Sequence, residues 1–523
     1  MIRRPPRSTL SSSSAASDVY KRQVTAIKYF EQALIITREI GDPSGEVAHL
    51  HGLGSAYGSL GQFTIATEHF ELAIDLAREI GSQVAEASIL ADLGNTYYLM
   101  ENYTMAIKYS EQALSIAREI GAQSIEDRIL GSLGNSYDSL GRYAKATKYY
   151  EQALAIARAI GDREGEAINL SNLGGTYLSM GHYAKAIETC EQAITFVERQ
   201  RAVLNLGEFK SSFVTRYISS YQSMIIALIE LSRFEDAFYY VQRAKARTLL
   251  DQMGNTRVNP RVTDDPALLA QEQALLDEIH GLQAVLSGQQ DFASLDTHRG
   301  DVPPLSGEQR AEVSTRLEQA YYEYDQLLVQ IQRTNPQYAA LRTVQASTLI
   351  TVQQTLPADV TLVEYYVLDT ETLAFVVTQK DFDVITLDVS YQTISETLKR
   401  YEAETQASLE DIPHSMKVLY NLLFAAIREY IHTDAILIAP HGPLHYVAFG
   451  ALHDGEHYLV ENYIIGYIPS ASMLRYINTS KPQHFNTSAL VLGNPVNAAV
   501  NPLKGAEKEA QVIAKIFGVK PYL

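Results

Sequence analysis

The sequence predicts a multidomain protein in which an all-α superhelical solenoid of stacked helix pairs is followed by an α/β domain. Two observations carry this reading. One phrase (FEQAL, FELAI, SEQAL, YEQAL, CEQAI) recurs every 40 residues, beginning at Phe30, Phe70, Ser110, Tyr150 and Cys190. From about Thr348 the composition then shifts to short β-branched and aromatic runs bounded by Pro and Gly. The length agrees, because 523 residues exceed what one core can serve.

A second phrase keeps step with the first. It reads Leu53-Gly54, Leu93-Gly94, Leu133-Gly134 and Leu173-Gly174, with Tyr57, Tyr97, Tyr137 or Tyr177 after each glycine. Small residues recur at Ala66, Ala106, Ala146 and Ala186, and at Ala73, Ala113, Ala153 and Ala193. Each unit is therefore two amphipathic helices broken by a turn such as Leu60-Gly61-Gln62-Phe63 or Leu140-Gly141-Arg142-Tyr143. Gly and Ala let two helix backbones approach, Leu and Tyr fill the space around them, and the turn glycine suits a left-handed helix end. One pair cannot bury its apolar face alone, so neighbours stack into a solenoid with a concave groove. The pattern resembles the tetratricopeptide repeat (TPR), in a form longer than the usual one of about 34 residues. The array is assigned to 24–253, regular to about residue 200, with a degenerate pair at 213–231 and 234–253 turning at Arg233-Phe234-Glu235-Asp236-Ala237.

Residues 254–345 read as a helical spacer that packs on the C-terminal part. Within it, Val313, Leu317, Tyr321, Tyr324, Leu328 and Ile331 have helical spacing over 308–333. At the other end, residues 1–23 are basic and Ser-rich without the apolar centre of a secretory signal. They match translated read-through of a sequencing adapter and also replace the first helix of a unit, with Ser13, Ser14 and Ser17 at the Leu, Gly and Tyr places. They are expected to be artefact, with the native N-terminus missing.

In the C-terminal part, VTLVEYYVLD and LAFVVTQ read as a hairpin around Thr370-Glu371-Thr372. AILIAP (435–440), YIIGYIP (463–469) and ALVLGNP (489–495) read as buried strands, with helices at about 413–431 and 505–517. The phrases ILIAPHGPLHYVAFGALHDGEHYLVENYIIGYIPSASMLRYI and LVLGNPVNAAVNPLKGAEKEAQVIAKIF, with the lead-in YVQRAKARTLLDQM, resemble the CHAT domain, a caspase-like domain associated with TPRs. The resemblance covers roughly 235–523. It implies a bacterial, TPR-regulated cysteine endopeptidase of regulation or defence, working through a His–Cys dyad. The His of that family stands in a His-Gly phrase after a later strand, and the Cys lies after the strand beyond. The dyad is thus expected beyond Leu523, 346–523 is taken as the N-terminal part of the CHAT domain, and no catalytic residue is assigned. The alternative is a non-catalytic adaptor whose CHAT-like part is structural.

Charge and composition exclude other classes. A net charge of −18 argues against nucleic acid or an anionic membrane as partner. One cysteine leaves no disulfide framework and fits a reducing cytoplasm, and no apolar run is long enough to span a bilayer. Cys190 fills a repeat position without a neighbouring base and reads as structural. His441, His445, His453 and His457 form two H-x3-H pairs, but Gly442, Pro443 and Gly455 forbid the continuous helix such a zinc face needs. Pairing His441 or His445 with Ser470 or Ser472 as nucleophile has no further support. Neither Gly493 nor Gly52 and Gly54 fit a nucleotide loop. No metal or cofactor is expected. The expected partner is a protein or peptide in the groove. In a TPR the first helix lines the concave face, and the position two past the Leu points inward: Ser55, Asn95, Asn135 and Gly175. An amide there offers donor and acceptor together, as in a TPR clamp for peptides. His51, Tyr98, Arg128, Asp138 and Ser171 are expected on the same face.

Overall fold

A computed structural model describes residues 7–203, 211–254, 266–287, 306–334, 346–407 and 414–474. Eleven consecutive helices open the chain: α1 (Arg7–Ile40), α2 (Pro43–Ser59), α3 (Phe63–Glu79), α4 (Gln83–Leu99), α5 (Tyr103–Glu119), α6 (Gln123–Ser139), α7 (Tyr143–Ile160), α8 (Arg163–Ser179), α9 (Tyr183–Val203), α10 (Ser211–Glu230) and α11 (Phe234–Gly254). They form the solenoid, and the degenerate pair appears as α10 and α11. Residues 7–23 continue α1 as helix. No helix among the described residues is long and apolar enough to cross a membrane.

The repeat positions do what their sizes suggest. All eight recurrent alanines are buried. A Cβ added to Gly54, Gly94, Gly134 or Gly174 would collide with Phe70, Ser110, Tyr150 or Cys190. The varying residue that opens the EQAL phrase therefore lies directly on the glycine of the unit's first helix. The turn glycines Gly61 and Gly141 have φ of +74° and +68°, where a side chain is strained. Asp42 and Asp162 cap α2 and α8 by accepting the N–H of Gly45 at 3.0 Å and of Gly165 at 2.9 Å. Successive units are further tied by exposed ion pairs Arg38–Glu46, Arg78–Glu86, Arg118–Glu126 and Arg158–Glu166 at 2.7, 2.6, 2.7 and 2.7 Å. First helices also touch one another directly, α2 to α4, α4 to α6 and α6 to α8, and so form the inner wall.

α12 (Pro266–Ser287) and α13 (Gly307–Thr334) pair into a hairpin with its own core of Leu276, Ile279, Leu317, Tyr324 and Ile331. Its polar contacts run back to the solenoid: Glu318 pairs with Arg163 at 3.2 Å and Arg199 at 3.3 Å, and Arg310 donates to the Ile160 carbonyl. Acidic residues of α13 thus meet arginines at the ends of α8 and α9.

Among the described residues the C-terminal part holds a mixed five-stranded sheet in the order β3-β2-β1-β4-β5. β1 (Val360–Val367) pairs antiparallel with β2 (Thr372–Val377), and β2 with β3 (Phe382–Leu387). β1 pairs parallel with β4 (Ala435–Ala439), and β4 with β5 (Ile464–Tyr467). The hairpin and two of the expected strands are present; β3 was not expected. The helix expected at about 413–431 ends at Leu423 and gives way to a 3-10 turn at Arg428–Tyr430. The strand at 489–495 and the helix at 505–517 lie outside the described residues. One face of the sheet (Val363, Tyr365, Val367, Ala374, Val376) packs on Met416, Leu419, Leu423 and Ile394. The opposite face (Leu362, Glu364, Tyr366, Leu373, Phe375, Val377) is equally buried. Part of its cover is α11, whose Phe238 ring meets Phe375 and Phe382 edge-on, each at 5.7 Å between centroids.

Candidate functional site

The inner wall gathers most of the groove residues named from sequence, and several of them are hydrogen-bonded to other residues there. His51 Nε2 lies 2.7 Å from Asp92 Oδ2, and Arg128 donates to Asp92 Oδ1 at 3.1 Å, so one carboxylate links α2, α4 and α6. Asn135 Oδ1 accepts from the Tyr150 hydroxyl at 2.6 Å and from Asn172 at 3.1 Å. Asp138 accepts from Thr176 at 2.7 Å, and the Ser139 hydroxyl lies 3.4 Å from that of Tyr98. Ser55 and Asn95 are exposed. Asn95 has no side-chain hydrogen bond among the described residues. Ser171 is placed differently. It is buried beneath α10, with its hydroxyl accepting from Ser220 at 2.6 Å and 3.4 Å from that of Ser219, because α10 stacks where a further first helix would stand.

Asp92 and Asn172 were not foreseen. Both occupy the position just before the recurrent Leu, held in the other units by Gly52 and Ser132. Reading that column beside the one two residues past the Leu would have found them. Deeper in the wall, Asp127 is buried with Asn169 donating to it at 3.2 Å. Burial, and then the nearby Asp162 carboxylate, push its acid up to about 6, against the pull of Asn169.

A second constellation joins α11 to the sheet. Lys245 Nζ reaches Glu364 Oε1 at 2.9 Å and the Ala439 carbonyl at 2.8 Å. Gln242 donates to Glu364 Oε2. The Ala471 N–H donates to the same oxygen at 3.2 Å, and the Ser472 N–H and hydroxyl donate to Gln242 Oε1 at 3.0 and 3.2 Å. Burial pulls the Lys245 ammonium below its ordinary value, with Glu364 opposing that shift. Next to this cluster His441 stacks on Tyr366 at 4.3 Å, and its Nδ1 accepts the Val367 N–H at 3.0 Å. That bond places the imidazole proton on Nε2. Burial, with Lys245 and His445 nearby, drives His441 down to about 3, so the ring is neutral at physiological pH. His445 is lowered by burial and Lys245 as well.

The remaining candidates separate. His441 precedes a 3-10 turn at Gly442–Tyr446, whereas His453 is buried, accepts the Gly455 N–H at 2.9 Å and meets Tyr458 edge-on. Among the described residues no group of three or more His, Cys, Asp or Glu could hold a metal ion. Cys190 is buried, faces Gly174, and burial pushes its thiol up to about 12. A nucleophilic thiol needs the opposite shift.

A tetratricopeptide-repeat family model matches residues 46–119, 85–159 and 126–199, and a CHAT-domain model matches 414–522. No curated protein matches the chain. Among solved structures, BtubC (BKLC) from P. vanneervenii is 20% identical, with 46% of this chain and 96% of that one covered at a TM-score of 0.39. A putative kinesin light chain of Podosopora anserina with nearly identical TPR-like repeats is 19% identical, covering 41% and 98% at 0.33. The quorum sensor NprR from B. thuringiensis is 15% identical, covering 62% and 83% at 0.34.

Proposed function

Taking the chain as a tetratricopeptide-repeat protein that carries a CHAT domain, we propose that the inner wall of its solenoid holds a protein or peptide. The observation that supports this most is Asn95, an exposed and unengaged amide on the inner wall. Around it the Asp92 carboxylate is already engaged by His51 and Arg128, so the wall offers amides and hydroxyls suited to a peptide backbone. Ser55, Tyr98, Asn135 and Asp138 are its neighbours along the wall. The setting we propose is the bacterial cytoplasm, with neither nucleic acid nor membrane as partner.

The CHAT resemblance extends the reading to regulation of a caspase-like cysteine peptidase. In that chemistry a His takes the proton of a Cys thiol, the thiolate attacks a peptide carbonyl, the C–N bond breaks and the amine leaves with that proton, and water then hydrolyses the acyl-enzyme. Cys190, buried with its thiol held protonated, is no candidate for that thiolate. This favours an adaptor role for the described part of the chain. Panning a displayed peptide library against the purified protein tests the groove. We expect enriched peptides whose affinity falls at least tenfold in N95A, with an unchanged far-UV spectrum. A library without enrichment, or equal affinity in N95A, would sink the reading. Peptide cleavage lost in C190A would sink the adaptor assignment alone.

A further inference from the structure

α11 carries two sets of contacts on opposite partners. Toward the solenoid, Arg243 donates to both oxygens of Glu198 on α9, and the Tyr240 hydroxyl donates to Glu191 of the same helix at 3.4 Å. Tyr221 of α10 donates to the same Glu198. Toward the sheet, Phe238, Gln242 and Lys245 cover the face that carries Glu364. Gln242 and Glu364 are fully buried and Lys245 is 5% exposed. Such a group cannot drift, since losing one partner strands a charge in an apolar medium. The two strands that Lys245 bridges are neighbours in register: Glu364 of β1 lies opposite Ala439 of β4. β1, β4 and β5 run parallel, so Ala439–His441 and Ser470–Ser472 both lie at the carboxyl edge of the sheet, where open α/β folds place their ligands.

We propose that α11 is a relay: it is gripped by the solenoid through Arg243 and Glu198, and through Gln242 and Lys245 it positions Glu364 and the Ala471–Ser472 segment at the sheet's carboxyl edge. Occupancy of the groove would be its natural input, and to that extent the inference rests on the groove reading. The relay itself needs no ligand and is tested without one. Amide exchange of the full chain is measured in E198Q, which alters only the solenoid grip, and in Q242L, which removes the acceptor of Ser472 and a donor to Glu364 Oε2 but neither partner of the Lys245–Glu364 pair. The reporter is the Ala471 amide, bonded to Glu364 and to neither changed residue. We expect Ala471 to exchange about fivefold faster in E198Q and at least tenfold faster in Q242L, while α6 amides keep their wild-type rates. Wild-type exchange at Ala471 in E198Q would show that the solenoid grip does not reach the sheet and would overturn the relay. Acceleration confined to Ser472 in Q242L would overturn it from the other side. A failed groove experiment would leave both outcomes readable.

Discussion

The joint between the two helices of a repeat and the joint between α11 and the sheet solve one packing problem by different physics. Between the helices of a unit, complementarity of size does the work: a glycine receives Phe70, Ser110, Tyr150 or Cys190, and the same backbone accommodates all four. Between α11 and the sheet, buried charge does it: Lys245 against Glu364 and a carbonyl, with Gln242 closing the set. Size matching degrades gradually and tolerates substitution. A buried ion pair has no graded failure, because removing one partner leaves the other uncompensated. Repeats can therefore drift in sequence while α11 stays fixed in register.

The contrast is sharpest at the ion pair. K245M should cost about 3–5 kcal/mol of stability, whereas K245M/E364M should return to near the wild-type value. Urea unfolding of both variants checks this; equal losses in the two would mean that charge does not set this joint. Within the solenoid the effect should be smaller and differently rescued. G174A should lose about 1–3 kcal/mol by overpacking against Cys190, and G174A/C190A should recover most of it. Absence of rescue would show that the glycine serves something other than close approach. The smallest effect concerns pH. Asp127 binds its proton more tightly in the folded state than in the unfolded chain, so its contribution favours folding at acid pH and is lost as pH rises through about 6. D127N should therefore be more stable than wild type by about 1–2 kcal/mol at pH 7.5, with the difference vanishing below pH 4. A difference independent of pH would remove the titration of Asp127 as its cause.

Much of this was legible in the sequence, for a physical reason. A repeat writes each packing position several times, so Leu53, Gly54 and Ala66 declare their roles by recurring. The hairpin of β1 and β2 and the strand β4 were legible as apolar runs. β3 was not, because Phe382–Leu387 carries Asp383 and Thr386 and is only partly covered. The inner wall was half legible. The column containing Asn95 and Asn135 stood out, while Asp92 and Asn172 stood in a column whose other members are Gly and Ser. Ser171 misled because the sequence does not show that α10 stacks on it. Lys245 and Glu364 lie 119 residues apart and neither recurs in the regular 40-residue units, so nothing local could announce the pair.

Because α11 lies over one face of the sheet, the boundary between the two architectures is not a place to cut. A gene fragment beginning at residue 346 would translate into strands whose Leu362, Tyr366, Leu373 and Phe375 had lost part of their cover, with Glu364 left among them without its cation. Such a product should precipitate on expression, since a broad apolar surface around a lone carboxylate invites association. A fragment reaching back to Phe234 would bring that cover with it.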